Sequence, residues 1–174
     1  MGEPRRYANL CVLTGVLLCC VSSSLLGAQS GEIQGSGDQV RIQEVDVGVS
    51  PVGPVVLLKA EAKAIPVFVD RTVAESIRAA LTKQKLVRPL SHDLMRAILA
   101  AYGGKVVQVV VTLKGATYYG ALTIDVAGER KVFDSRSSDA IALAVHFSAP
   151  IWVSRELLDK AGHAVEDPPG SRRL

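Results

Sequence analysis

Between Lys105 and Ala144 the sequence leaves the chain little conformational choice. Lys105-Val106-Val107-Gln108-Val109-Val110-Val111-Thr112-Leu113 is a strand pattern, Lys114-Gly115-Ala116 a turn, and Thr117 to Val126 a returning strand. Ala127-Gly128-Glu129 turns again into Arg130-Lys131-Val132-Phe133-Asp134, which predicts a three-stranded antiparallel meander. The alternation ends at Phe133 and a compact apolar helix pattern begins at Ala140, so the third strand hands over directly to a buried helix. The polar residues between them are squeezed into one turn. There, two carboxylates, Asp134 and Asp139, flank the Arg136 guanidinium, and Ser137 or Ser138 can cap the helix through its hydroxyl. Such a turn gathers unpaired backbone donors and charged side chains at one end of a sheet, where sites form. A purely structural reading covers the same residues: Ser138 and Asp139 suit a helix start, and Arg136 can pair with Asp134 to hold the corner.

Upstream, Val40 to Val49 alternates with period two and reads as one half-buried strand. Val55-Val56-Leu57-Leu58-Lys59 and Ala64-Ile65-Pro66-Val67-Phe68-Val69 read as a hairpin, with Pro66 favouring an edge or a bulge. Asp70 is placed to cap a helix from Arg71 to Leu86 that turns Val73, Ile77 and Leu81 inward. After Pro89 a second helix starts at Ser91-His92-Asp93-Leu94, with Ser91 as its cap and Leu94, Met95, Ile98 and Leu99 as its apolar face; Gly103-Gly104 stops it. Ile151-Trp152-Val153 adds a short strand, and Ser154 caps a last helix through Lys160 that ends at Gly162. Runs of strands followed by helices predict a single α+β domain over 40–162, with helices packed on a mixed or mainly antiparallel sheet. His92, in the first turn of its helix, is the histidine best placed for chemistry, whereas His146 and His163 have no supporting neighbours in sequence.

The amino terminus has a different character. Arg5-Arg6 precede an apolar run from Leu10 to Val21, and small residues follow as far as Ser30, the order of a secretory signal. Residues 1–30 are therefore read as a signal peptide cleaved after Ser30, with an uncleaved anchor or a lipidated cysteine as alternatives. This implies export, to the periplasm or beyond, and membrane attachment only if the segment stays. All three cysteines, Cys11, Cys19 and Cys20, lie in it, so the mature domain has no disulfide, thiolate metal site or cysteine nucleophile. Residues 31–39 form a Gly/Ser/Gln-rich linker, and 163–174 are expected to be a disordered tail. The net charge of +3 gives no strong electrostatic pull on nucleic acid, although a local basic face is compatible with it.

Three stretches taken together, Arg88-Pro89-Leu90-Ser91-His92-Asp93-Leu94, Thr117-Tyr118-Tyr119-Gly120-Ala121-Leu122 and Asp134 to Ala144, resemble the bifunctional nuclease family in order and spacing. The resemblance runs from Val45 to about Gly162. It implies a hydrolase of the phosphodiester bonds of DNA or RNA, with nucleic acid as partner. Two positions depart from the family pattern: Ser137 stands where Pro is usual, and Val73 where Glu is common, Glu75 lying two residues later.

Phosphodiester hydrolysis requires an oriented water, neutralisation of charge on the phosphate and a route for the leaving proton. With the resemblance in hand, His92, Asp93, Asp134, Arg136 and Asp139 are the candidate catalytic residues and Arg88, Ser138 and Tyr118 the candidate substrate contacts. Asp134 and Asp139 are the candidate ligands of Mg2+ or Mn2+, an expectation carried by the resemblance and by oxygen-donor chemistry. The alternatives are a noncatalytic exported binding or assembly module of the same fold, as a homo-oligomer or otherwise, and a small-anion site at the helix start near Ser138.

Overall fold

The computed structural model describes residues 38–164, all within the unit Glu32–Leu174. The signal segment and most of the expected linker and tail lie outside the described residues. Among the described residues no helix is long and apolar enough to cross a membrane.

The alternation between Val40 and Val49 belongs to two strands rather than one. β1 (Gln39–Arg41) and β2 (Glu44–Ser50) join different sheets. The change falls between neighbouring amides: the Ile42 N–H donates to the Ile151 carbonyl and the Gln43 N–H to the Lys59 carbonyl, each at 2.8 Å. β3 (Gly53–Ala60) and β4 (Lys63–Phe68) form the expected antiparallel hairpin. With β2 and the two-residue β9 (His163–Ala164) they make a four-stranded sheet in the order β2-β3-β4-β9. β9 pairs only with Lys63 and Ala64, so Pro66 lies past its end, where a missing N–H breaks no ladder.

The meander is as expected. β5 (Gly104–Lys114), β6 (Thr117–Val126) and β7 (Glu129–Arg136) pair antiparallel. β8 (Ile151–Ser154) runs parallel to β5 and antiparallel to β1, completing a five-stranded sheet ordered β1-β8-β5-β6-β7. The fold is α+β, with two mostly antiparallel sheets in place of the single sheet expected.

Helix α1 (Arg71–Leu81) ends five residues earlier than the apolar pattern suggests. Lys83 takes φ 55°, and the Lys83 and Gln84 N–H groups return to the Ala80 and Ala79 carbonyls, a left-handed helix end formed without glycine. In α2 (Ser91–Ala101) the expected inward face is corrected: Leu94, Met95 and Ile98 are exposed, and His92 is the residue that is buried. α3 (Ser137–Phe147) packs on β5 and β6, and α1 and α2 both pack on α3. α4 (Arg155–Ala161) starts as expected, with Ser154 Oγ accepting from the Leu157 N–H at 3.2 Å.

One apolar cluster joins both sheets. Val56, Leu58, Ile65 and Val67 from the four-stranded sheet meet Val109, Val111 and Val153 from the other, with Ile77 and Ile141 supplied by the helices. Gly120 sets how closely α3 approaches: a Cβ there would lie 2.6 Å from the Ala140 Cβ. That spacing fixes the start of α3 against β6 and β7, where the polar turn lies.

Candidate functional site

Two strand-to-helix turns, β4 into α1 and β7 into α3, come together. Asp70 stands at the first and Arg136 at the second, each at the capping position of its helix and neither making a side-chain cap bond. The expected cap at Ser137 or Ser138 is corrected, since α3 already begins at Ser137, which is buried, and Arg136 precedes it. Likewise Ser91 is inside α2. The capping position belongs to Leu90, whose N–H donates to Asp93 Oδ2 at 3.0 Å.

The Arg136 side chain turns over the start of α3. Its Nε donates to Asp139 Oδ2 at 2.7 Å and Nη2 to Asp139 Oδ1 at 3.1 Å, a two-point clamp, while Nη1 reaches Asp70 Oδ2 at 3.4 Å. A guanidinium has five N–H donors, so two remain for a ligand. The pairing of Arg136 with Asp134 read from the sequence is replaced by this pairing with Asp139 and Asp70. Behind Asp139 lies His92, its Nε2 3.2 Å from Asp139 Oδ1. Burial acts to raise the Asp139 pKa, but the bonds from Arg136 and His92 outweigh it and hold the carboxyl below its ordinary range. An ionised carboxylate only accepts, so His92 Nε2 carries the proton in this contact.

The chain of polar groups continues inward. The His92 and His146 rings stack with centroids 6.4 Å apart, His146 Nε2 is 2.9 Å from Ser76 Oγ, and His146 Nδ1 is 3.8 Å from Asp93 Oδ1. Ser76, His146 and Asp93 thus stand in the order of a nucleophile, base and orienting acid. Ser76 is 0% exposed in the middle of α1, and 3.8 Å is too long for a hydrogen bond, so the group cannot attack a substrate. It fixes the buried imidazole instead. Burial, with His92 and Arg96 adding to it against Asp93, lowers the His146 pKa and keeps the ring neutral.

Two clefts flank this chain. The first, about 530 Å³, lies where β4, the β5–β6 turn and the start of α3 meet, and is lined by Phe68, Asp70, Tyr118, Arg136, Ser137 and Ser138 among others. Arg136 is 65% exposed there, whereas His92 is 4% exposed and lies behind Asp139, out of a substrate's reach. The second, about 620 Å³, lies between the α1–α2 loop and the helices and includes Lys83, Lys85, Asp93, Arg96 and His146.

The structure therefore groups His92, Arg136 and Asp139, and places Ser138 and Tyr118 in the cleft before them. Asp93 faces the second cleft. Arg88 is exposed in the α1–α2 loop, between two residues that line that cleft. Asp134 pairs with Ala121 one position from the Gly120–Ser135 pair that faces α3, so its exposed side chain points to the other side of the sheet. The two expected metal ligands, Asp134 and Asp139, do not converge. Among the described residues no three His, Cys, Asp or Glu side chains are grouped to hold an ion. With Asp134 on the other side of the sheet and Asp139 Oδ1 taken by Arg136 and His92, the two expected ligands supply too few convergent oxygens, and the donor set does not fit a resident Mg2+ or Mn2+. Val73 is buried in the core and Glu75 is exposed on α1, so neither enters the cluster.

The sequence pattern offered Asp70 only as a helix cap, set His146 aside for want of neighbours, and gave Phe68 and Ser76 no part in a site. Signals for two of them existed: Ser76 is a polar residue beside the inward Ile77, and His146 lies seven residues, two helical turns, after Asp139 on α3.

The third strand of the meander thus ends in an exposed arginine clamped to a carboxylate in the first turn of the helix that follows. The bifunctional nuclease domain model matches residues 55–166, and the chain belongs to that family. Two relatives from Mycobacterium tuberculosis, strains CDC 1551 and H37Rv and each named an uncharacterized protein, are 31% identical over 134 residues, covering 74% of this chain and 79% of theirs. Bifunctional nuclease 2 of Arabidopsis thaliana is 29% identical over 107 residues, 59% of this chain and 32% of that protein.

Proposed function

We propose that the chain hydrolyses phosphodiester bonds of DNA or RNA in the first cleft. The observation that carries this reading is Arg136, clamped by Asp139 at the uncapped start of α3 with two donors to spare, in a cleft lined by the exposed Phe68 and the half-buried Tyr118. A phosphate placed there meets the guanidinium and the helix-start amides, while a base can stack on an aromatic ring. Asp139, held ionised, orients the attacking water through Oδ2, which accepts only the Arg136 Nε bond, takes its proton as the P–O bond forms and passes a proton to the leaving oxygen as the old P–O bond breaks. His92 is a positioning residue that keeps the carboxylate aimed. Ser138 offers a hydroxyl to the phosphate. Family membership and the likeness to a protein named a nuclease support the reaction class.

Cleavage of labelled single-stranded DNA and RNA by the folded protein tests this. Asp139→Asn and Arg136→Ala are each expected to lower kcat/KM by about a hundredfold, and wild-type rates in both would remove the clamp from the mechanism. No step above uses a metal. Comparing Mg2+ or Mn2+ with EDTA decides whether an ion arriving with the substrate is needed.

The assembly reading has its own observation. Leu94, Met95, Ile98 and Tyr102 are exposed along and just beyond α2, an apolar face that a homo-oligomer would cover. Sedimentation of the wild type against Ile98→Glu tests it. An exported compartment rests on the Arg5–Arg6 and Leu10–Val21 pattern, and amino-terminal sequencing of protein recovered outside the cytoplasm tests that.

A further inference from the structure

The second cleft has a character that the reaction at Arg136 does not use. Lys83 and Lys85, from the loop after α1, and Arg96, from α2, line it on different elements. Among the described residues none of the three is paired with a carboxylate, in contrast to Lys59, Lys63 and Arg155, each held by an acidic partner. Three unneutralised cations lining one concave surface repel each other unless an anion sits among them. The one carboxylate in the cleft, Asp93, is engaged by the Leu90 amide and faces His146. Ala79, Leu86, Val87, Pro89 and Val145 supply apolar wall between the charges, which suits sugars and base faces. At about 620 Å³ the space has room for a nucleotide or two of one strand.

We infer that this cleft binds the sugar–phosphate backbone of a single nucleic-acid strand, with phosphates against Lys83, Lys85 and Arg96. The inference rests on the nuclease reading for its choice of polymer, and it assigns the cleft to strand binding away from the bond that is cut. It makes single strands the preferred substrate.

Fluorescence anisotropy of a labelled oligothymidine, read across a salt titration in EDTA, tests it independently of cleavage. Each phosphate contact on a single strand contributes about −0.7 to the slope of log K against log salt, so Lys83→Ala/Lys85→Ala should flatten the slope by roughly 1.4. Arg96→Gln, on an exposed helix face, should flatten it by about 0.7. Lys105→Ala/Lys131→Ala, outside the cleft, serves as the control and should leave the slope as in the wild type. An unchanged slope in the Lys83/Lys85 variant, or an equal change in the control, overturns the inference. So does inorganic phosphate that competes as well as the oligonucleotide per phosphate, because the cleft would then be a small-anion site. A wild type that cleaves while the cleft variants bind normally refutes this inference and leaves the nuclease reading standing. A wild type that never cleaves but loses slope on substitution does the reverse.

Discussion

At the scale of single residues, Asp139 and His146 respond to acid in different windows. Asp139 has a lowered pKa in the folded chain, so its contribution to stability is present above the ordinary carboxylate range and is lost as pH falls through the folded value. His146 is a base with a lowered pKa, so between its folded value and the ordinary 6.5 the unfolded chain binds more protons, and stability falls as pH drops below 6.5. Urea unfolding at a series of pH values between about 7.5 and 5.5 should show this loss in the wild type. His146→Gln, which keeps a polar partner for Ser76 and does not titrate, should show a shallower one. Asp70→Ala separates function from stability. Its contact with Arg136 is exposed, so unfolding should shift by less than about 1 kcal/mol, while cleavage falls several-fold as the guanidinium gains freedom. Arg136 and Asp139 were legible because their turn is contiguous in sequence. Asp70, 66 residues before Arg136, could be joined to it only once the two helix starts were side by side.

Among the elements, the approach of α3 to β6 governs the site. Gly120→Ala puts a Cβ 2.6 Å from the Ala140 Cβ and crowds the Arg136 carbonyl, so α3 must shift and carry Asp139 with it. The expected cost is about 1–3 kcal/mol of stability, measured by urea unfolding, with a parallel loss of cleavage. Adding Ala140→Gly should return part of both, and a double-mutant cycle with no coupling would show that the contact does not set the helix position. The meander and its handover to α3 could be read from sequence because alternation and helical spacing are local signals. The end of α1 could not, since Lys83 adopts the left-handed conformation usually left to glycine. The outward apolar face of α2 misled for a related reason: spacing gives a stripe, and only tertiary packing decides which way the stripe turns. Here α2 turns His92 inward to meet Asp139, and Leu94, Met95 and Ile98 face out.

For the whole molecule, the α+β class followed from the order of strands and helices, but the two-sheet arrangement did not. An alternating run reports that one face is buried, and both β1 and β2 satisfy it while serving different sheets. That division makes the segment before the family match structurally necessary. The match begins at residue 55 and leaves out β1 and β2. Val40 and Ile42 are buried in the shared core, and Val45 and Val47 pack against it. Full burial of a valine or isoleucine side chain is worth about 1.5–3 kcal/mol, so Val40 and Ile42 together contribute roughly 3–6 kcal/mol before the entropy of ordering β1, large beside a net domain stability of about 5–15 kcal/mol. β1 also holds the edge of the larger sheet through β8, and Arg155 joins Asp38 before β1 to Glu61 after β3. A fragment restricted to residues 55–166 should therefore lack a cooperative urea transition and the cleavage activity, although it contains Arg136, Asp139 and both clefts' named lining residues. Val40→Ala/Ile42→Ala in the full chain should lower stability by about 4 kcal/mol or more through the cavities left behind. If the fragment unfolds cooperatively with the stability of the full chain, the two sheets do not depend on the crossing at Ile42 and Gln43, and the core must be closed by the matched segment alone.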